Sequence, residues 1–196
     1  MDCIRTIDGT VHDTLSFSRY AHCVSVSEFS QVLCRRYAPG FAAESESIVL
    51  ASLFHDYCRE WKNEDLKAYA VEHELSCERE EMVYPVLLHA PVAAHIASRT
   101  ECLDSKPVID AIRWHTLGNS QMGLLGALVF CADYMEPGRC YMNESIINTL
   151  MANETIEGLV KNILDHHISH MSKKGRPVAD ATLRLYDYIK GGGTFR

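Results

Sequence analysis

Long apolar runs are missing from this sequence. No stretch of about 18 consecutive apolar residues occurs, so no transmembrane helix is expected. The opening residues, Met1-Asp2-Cys3-Ile4-Arg5, lack the basic-then-apolar layout of an export signal. Positive charge is also in short supply. The formal net charge of -7 argues against nucleic acid or an anionic membrane surface as a partner. None of the eight cysteines forms a C-x-x-C pair, which leaves a zinc-finger reading unsupported. Without an export signal they read as reduced thiols, mostly buried, in a cytoplasmic protein. No clear period-2 strand pair, low-complexity block or internal repeat is visible.

What remains is helical periodicity over most of the 196 residues. Residues 1–13 show no clear period and read as a lead-in. Thr14 or Ser16 caps a helix to about Tyr37, with Phe17, Ala21, Val24, Val32 and Leu33 roughly on one face. Further helices are expected over Glu44 to Tyr57, Asn63 to about His73, and Glu78 to Leu88, the last bent by Pro85. Pro91 opens another, and Val108 to Thr116, broken by Gly118-Asn119, follows. Gln121 to Met135 is strongly apolar and reads as the centre of the core. Asn143 to about His170 is one long or two short helices, and Val178 to Lys190 is the last. The expectation is an all-α domain over 14–190 with a mobile tail at 191–196.

Six residues stand out because they are polar where their neighbours are not: His22, His55, Asp56, His89, His115 and Asp133. His55 and Asp56 end the apolar run from Ile48 to Phe54, and can share one ion only if the helix is ending there or one carboxylate reaches across. Asp133 interrupts a nearly uncharged helix and needs a partner. Taken singly, each has a plain reading: a hydrogen-bonded core histidine, or Asp133 paired with Arg139 or Arg113. Together, four imidazoles and two carboxylates form a ligand set for two transition ions. Two ions roughly 3.5–4 Å apart would clamp an in-line displacement at phosphorus.

The order His22, His55-Asp56, Asp133 resembles the HD superfamily of helical metal-dependent phosphohydrolases. Five segments narrow the resemblance to the bacterial YqeK family: Arg19-Tyr20-Ala21-His22, Leu53 to Arg59, Leu87 to Val92, Ile112 to Gly118, and Ala132 to Arg139. That likeness runs from about residue 15 to 190. It implies a helical bundle and symmetrical hydrolysis of dinucleoside tetraphosphates, diadenosine tetraphosphate giving two ADP. It also implies two iron ions; ligand chemistry alone admits Mn, Co or Zn. His22, His55, Asp56 and Asp133 would surround one ion, His89 and His115 the second, with Asp56 bridging. The chain departs from the family pattern at Ala90, where Gly is usual, at Leu117-Gly118-Asn119 in place of Thr-Gly-Arg, and at Arg59 in place of Lys.

On this reading an ion-activated water attacks an internal phosphorus. Arg59, Arg139 and Arg19 are candidate phosphate clamps, each with a surface ion pair as the alternative. Thr116 supports the loop after His115, and Glu136 caps or orients Arg139. Tyr134 flanks a ligand, as a base-stacking platform or as core. His166, His167 and His170 read as a solvated face. A homodimer is compatible with the sequence. Two other function classes stay open: another HD-type nucleotide phosphatase or phosphodiesterase, and a non-catalytic nucleotide-binding regulator.

Overall fold

The apolar segment ending at Met135 sets the layout. Leu128, Val129, Cys131 and Ala132 have no accessible surface, and Leu125 and Met135 almost none. A helix buried on nearly every side must be wrapped by others. The computed structural model of the protein describes residues 2–139 and 142–195, with the backbone alone for 42–45. Its helices are α1 (Cys3–Thr14), α2 (Phe17–Tyr37), α3 (Ser45–Phe54), α4 (Asn63–Glu72), α5 (Arg79–Val83), α6 (His89–Ala97), α7 (Lys106–Trp114), α8 (Gly123–Met135), α9 (Glu144–Met151), α10 (Ile156–Lys173) and α11 (Asp180–Lys190). Short 3-10 turns cover Pro39–Glu44 and Pro85–Leu88. No strand occurs among the described residues, so the all-α expectation holds. Helix α8 packs on α2, α3, α7 and α10; α3 packs on α1, α2, α7 and α8. These two helices are the axis of the bundle, and both deliver polar residues at their C-terminal ends.

The sequence reading needs four corrections here. The lead-in is helix α1, capped by the Asp2 side chain, with Ile7 and Val11 buried one turn apart against α3. On α2 the apolar face assigned from periodicity is largely outside: Phe17 is 86% exposed, and Val32 is also exposed. The buried face is Cys23, Val26, Ser27, Ser30, Leu33 and Cys34. Small serines bring α2 close to α3, and Ser30 is satisfied by the Ser27 carbonyl at 2.9 Å and by Ser52 Oγ at 3.0 Å. The tail is anchored, because Phe195 is buried and its backbone N–H donates to Glu157 at 3.0 Å.

The fourth correction concerns the cysteines. Cys3 and Cys102 form a disulfide with their Cα atoms 5.6 Å apart, which α1 makes feasible by bringing the N-terminus to the loop after α6. Cys23, Cys34, Cys58 and Cys131 are buried free thiols and Cys77 is a half-buried one. Burial, with Asp56 nearby, pushes the Cys58 thiol up to about 12. Cys140, included in the reduced-thiol expectation, lies outside the described residues. No helix among the described residues is long and apolar enough to cross a membrane.

One buried ion pair fixes α7. Arg113 donates to both carboxylate oxygens of fully buried Glu81, at 2.6 and 2.8 Å, and lies over the Trp114 ring at 4.0 Å. Burial raises the Glu81 carboxyl, although Arg113 opposes the rise. His115 follows two residues later, so the pair orients the end of the helix that carries it.

The central place of α8 is testable by equilibrium unfolding in urea. Leu128→Ala is expected to cost about 2–5 kcal/mol, and a loss under about 1 kcal/mol would contradict the core assignment. Phe17→Ala should change stability by no more than about 0.5 kcal/mol.

Candidate metal centre

Helix ends, where backbone carbonyls are left without helical partners, hold most of this site. Helix α3 stops at Phe54, and a turn closes with the Tyr57 N–H on the Phe54 carbonyl at 3.0 Å. His55 and Asp56 sit in that turn, so the adjacent pair is freed from helical spacing. His89 is the first residue of α6, and His115 caps the C-terminus of α7. Gly118, at φ +69°, returns its N–H to the Trp114 carbonyl at 2.8 Å and turns the chain away behind His115. Asp133 lies in the last turn of α8, and His22 in the second turn of α2.

Three imidazoles are aimed by one local device. Their Nδ1 atoms face the carbonyl three residues earlier: His55 to Ser52 at 2.7 Å, His89 to Val86 at 2.6 Å, His115 to Ile112 at 2.8 Å. A carbonyl only accepts, so Nδ1 carries the hydrogen and, in the neutral ring, Nε2 presents its lone pair. His22 is set differently, with Nδ1 3.4 Å from the Glu136 carboxylate. Glu136 is itself held by the Ser25 hydroxyl at 2.8 Å and the Gly138 N–H at 2.7 Å. Glu136 still meets Arg139, whose backbone N–H donates to its carbonyl at 3.1 Å, and its carboxylate serves His22 as well. A buried acid directly after an apolar helix was the sequence signal for that role.

All four Nε2 atoms converge on two aspartates. Asp56 Oδ2 lies 3.6 Å from both His22 and His55, while Oδ1 lies 3.2 Å from His89 and 3.6 Å from His115. Asp133 Oδ1 is 3.0 Å from His22 and 3.7 Å from His55. His89 and His115 point Nε2 at each other across 3.0 Å, with the Thr116 hydroxyl 3.2 and 2.9 Å from them. One shared proton or the Thr116 hydroxyl relieves that pair. It does not relieve His22 and His55, whose buried Nε2 atoms lack a well-formed hydrogen bond. Lone pairs and carboxylates crowded this closely call for a cation. Two donor groups suited to a metal ion result: His22, His55 and Asp133, and His55, Asp56 and His115.

Arginines complete the electrostatics. Arg19 donates to Asp56 Oδ2 at 2.7 Å. Arg139 pairs with the Asp133 carboxylate and donates from Nε to its carbonyl at 2.8 Å, so the partner expected for Asp133 is present. Burial raises the Asp56 carboxyl; positive charge at His55, with protons donated from His115 and His89, outweighs it and holds it well below the usual carboxylate range, and a cation in their place acts in the same direction. Asp133 is held low in the same way, against its burial, by His22, His55 and Arg139. Arg59 is half-buried in the turn beyond Asp56 and, among the described residues, makes no hydrogen bond or ion pair with this cluster. Tyr134 is half-buried and its hydroxyl bonds His166.

The HD domain profile matches residues 19–138, the segment that holds all six convergent side chains. The chain belongs to the HD domain family. It is 30% identical over 182 residues to a symmetrical bis(5'-nucleosyl)-tetraphosphatase of Bacillus subtilis, covering 93% of this chain and 95% of that protein. A protein of the same name from Halalkalibacterium halodurans is 29% identical over 175 residues, covering 89% and 90%. In fold, the chain is similar to a crystal structure from Clostridium acetobutylicum described as a predicted HD superfamily hydrolase involved in NAD metabolism. The TM-score is 0.83, at 24% identity, over 96% of this chain and 97% of that one. Members of this family bind divalent metals, and the His/Asp groups here fit that chemistry.

A metal-stripped sample given Co(II) or Mn(II) at about 100 times Kd should gain about 2.7 kcal/mol of unfolding free energy. His55→Ala, folded by circular dichroism, should lose the gain. A wild-type protein whose unfolding is indifferent to either ion would contradict the assignment.

Proposed function

We propose that this protein hydrolyses dinucleoside tetraphosphates symmetrically, diadenosine tetraphosphate to two ADP, with two divalent transition ions held by His22, His55, Asp56, His89, His115 and Asp133. The observation that carries the reading is the Asp56 carboxylate, whose two oxygens face different pairs of imidazoles. A carboxylate so placed suits a bridge between two ions. The names of the Bacillus subtilis and Halalkalibacterium halodurans relatives supply the substrate. Iron is the native metal implied by the family likeness; the nitrogen and oxygen donors equally suit Mn, Co or Zn.

When bound, such ions supply Lewis acidity and a water acidified enough to act as nucleophile near neutral pH. The chain's own residues do the rest. The two guanidiniums of Arg19 and Arg139 offset the two carboxylates, so the charge of bound ions is left to attract a polyphosphate into a protein of net charge -7. Phosphate oxygens compete for the same guanidinium donors, which makes Arg19 and Arg139 the clamps best placed for substrate. Arg59, which makes no hydrogen bond or ion pair with the cluster among the described residues, is the less well placed clamp. The Thr116 hydroxyl beside His89 and His115 can donate to a substrate oxygen. Cleavage at the second phosphorus from either end leaves a nucleoside diphosphate on each side, hence one product.

Chromatography of products from Fe(II)- or Mn(II)-loaded protein tests this. ADP alone is expected from diadenosine tetraphosphate. ATP plus AMP would contradict symmetrical attack, and phosphate release from mononucleotides alone would favour a different HD phosphatase. Asp56→Ala should lose at least about a thousandfold in rate, about 4 kcal/mol of barrier, and retained turnover would refute the bridging role.

A further inference from the structure

A cavity of about 180 Å³ opens beside the metal centre. His115, Thr116, Asp133 and Arg139 of the centre line it, together with apolar Phe130, Ile163 and Leu164 and with His167. Ile163, Leu164 and His167 come from α10, which lies beyond the 19–138 segment of the HD match. We propose that this cavity is a nucleobase subsite and that His167 is the side chain that selects what enters it. The inference rests on the proposed nucleotide substrate.

Size argues for one ring system. Whole-ligand pockets usually run about 300–1,000 Å³, so this cavity is too small for a dinucleotide but adequate for one flat heterocycle. Its mixed lining argues the same way: apolar side chains for a ring face, together with polar groups of the centre for the phosphates. Arg139 and Thr116 around it serve the phosphates, Thr182 donates to the Leu117 carbonyl at 2.7 Å, and Tyr134 bonds His166. His167 makes no hydrogen bond or ion pair among the described residues, although it is only partly exposed. Its ring nitrogens are therefore available to a ligand.

The protonation state fits a base better than a phosphate. Burial, and then His170 and His166, lower the proton affinity of His167, so the ring is neutral near neutral pH. A neutral imidazole offers one donor and one acceptor, which matches the edge of a heterocycle. A phosphate group would call for a cation. His166 and His170 are exposed, consistent with a solvated face, whereas His167 turns about 100° inward along the helix.

The test is calorimetric titration of Mn(II)-loaded protein with two probes, ADP and inorganic pyrophosphate, for wild type, His167→Ala and His167→Asn. His167→Ala should weaken ADP about tenfold, the size of one lost hydrogen bond, and leave pyrophosphate affinity and metal content unchanged. His167→Asn should recover part of the loss. Equal weakening of both probes, or no change for ADP, overturns the assignment. Hydrolysis of diadenosine tetraphosphate by wild type is read separately. A wild type that binds ADP through His167 but does not cleave the tetraphosphate refutes the catalytic reading and leaves the subsite standing.

Discussion

A carboxylate only 4% exposed, with imidazole nitrogens on both sides, is the constraint to which the rest of this structure answers. Asp56 cannot be placed there cheaply. Desolvation penalises its charge, and the lone pairs around it supply no hydrogens to share. Arg19 offsets part of the cost at one oxygen, at 2.7 Å. A cation held by the convergent nitrogens would offset the remainder. The site is therefore best understood as a set of anionic and lone-pair donors assembled for a positive charge.

The scaffold delivers those donors through helix ends. Helices α3 and α8 form the buried axis, and their C-termini carry His55, Asp56 and Asp133 to one level of the bundle. Helices α6 and α7 contribute His89 and His115 from their own ends, and the Nδ1 hydrogen bonds to carbonyls three residues back set both ring tilts. Buried serines between α2 and α3 keep His22 near the same level. The Glu81–Arg113 pair and Gly118 fix the segment around His115. His55, Asp56, His89 and His115 are themselves buried, so precision at the centre comes from packing around them.

Much of this was legible in the sequence because burial makes polarity conspicuous. Asp133 inside α8, and His55-Asp56 at the end of an apolar run, are expensive residues in cheap surroundings, and the structure brings them together. Helix boundaries followed proline, glycine and capping residues. Other features were hidden for physical reasons. Helix α1 buries only Ile7 and Val11, too few to make a visible period. The buried face of α2 contains serines, which read as polar until their hydroxyls are seen to be satisfied within the bundle. The Cys3–Cys102 bond depends on where α1 docks, a tertiary fact. Glu136 was recognised as notable, but its second partner, His22, was hidden because that contact spans more than a hundred residues. His167 was grouped with its exposed neighbours because sequence adjacency conceals a turn toward the interior.

The central claim is that Asp56 joins two ions in one cage, and anomalous diffraction from crystals of metal-loaded protein tests it most directly. Two anomalous peaks flanking the Asp56 carboxylate, one beside His22 and His55 and the other beside His89 and His115, are the expected result. A single peak, or ions bound away from Asp56, would contradict it.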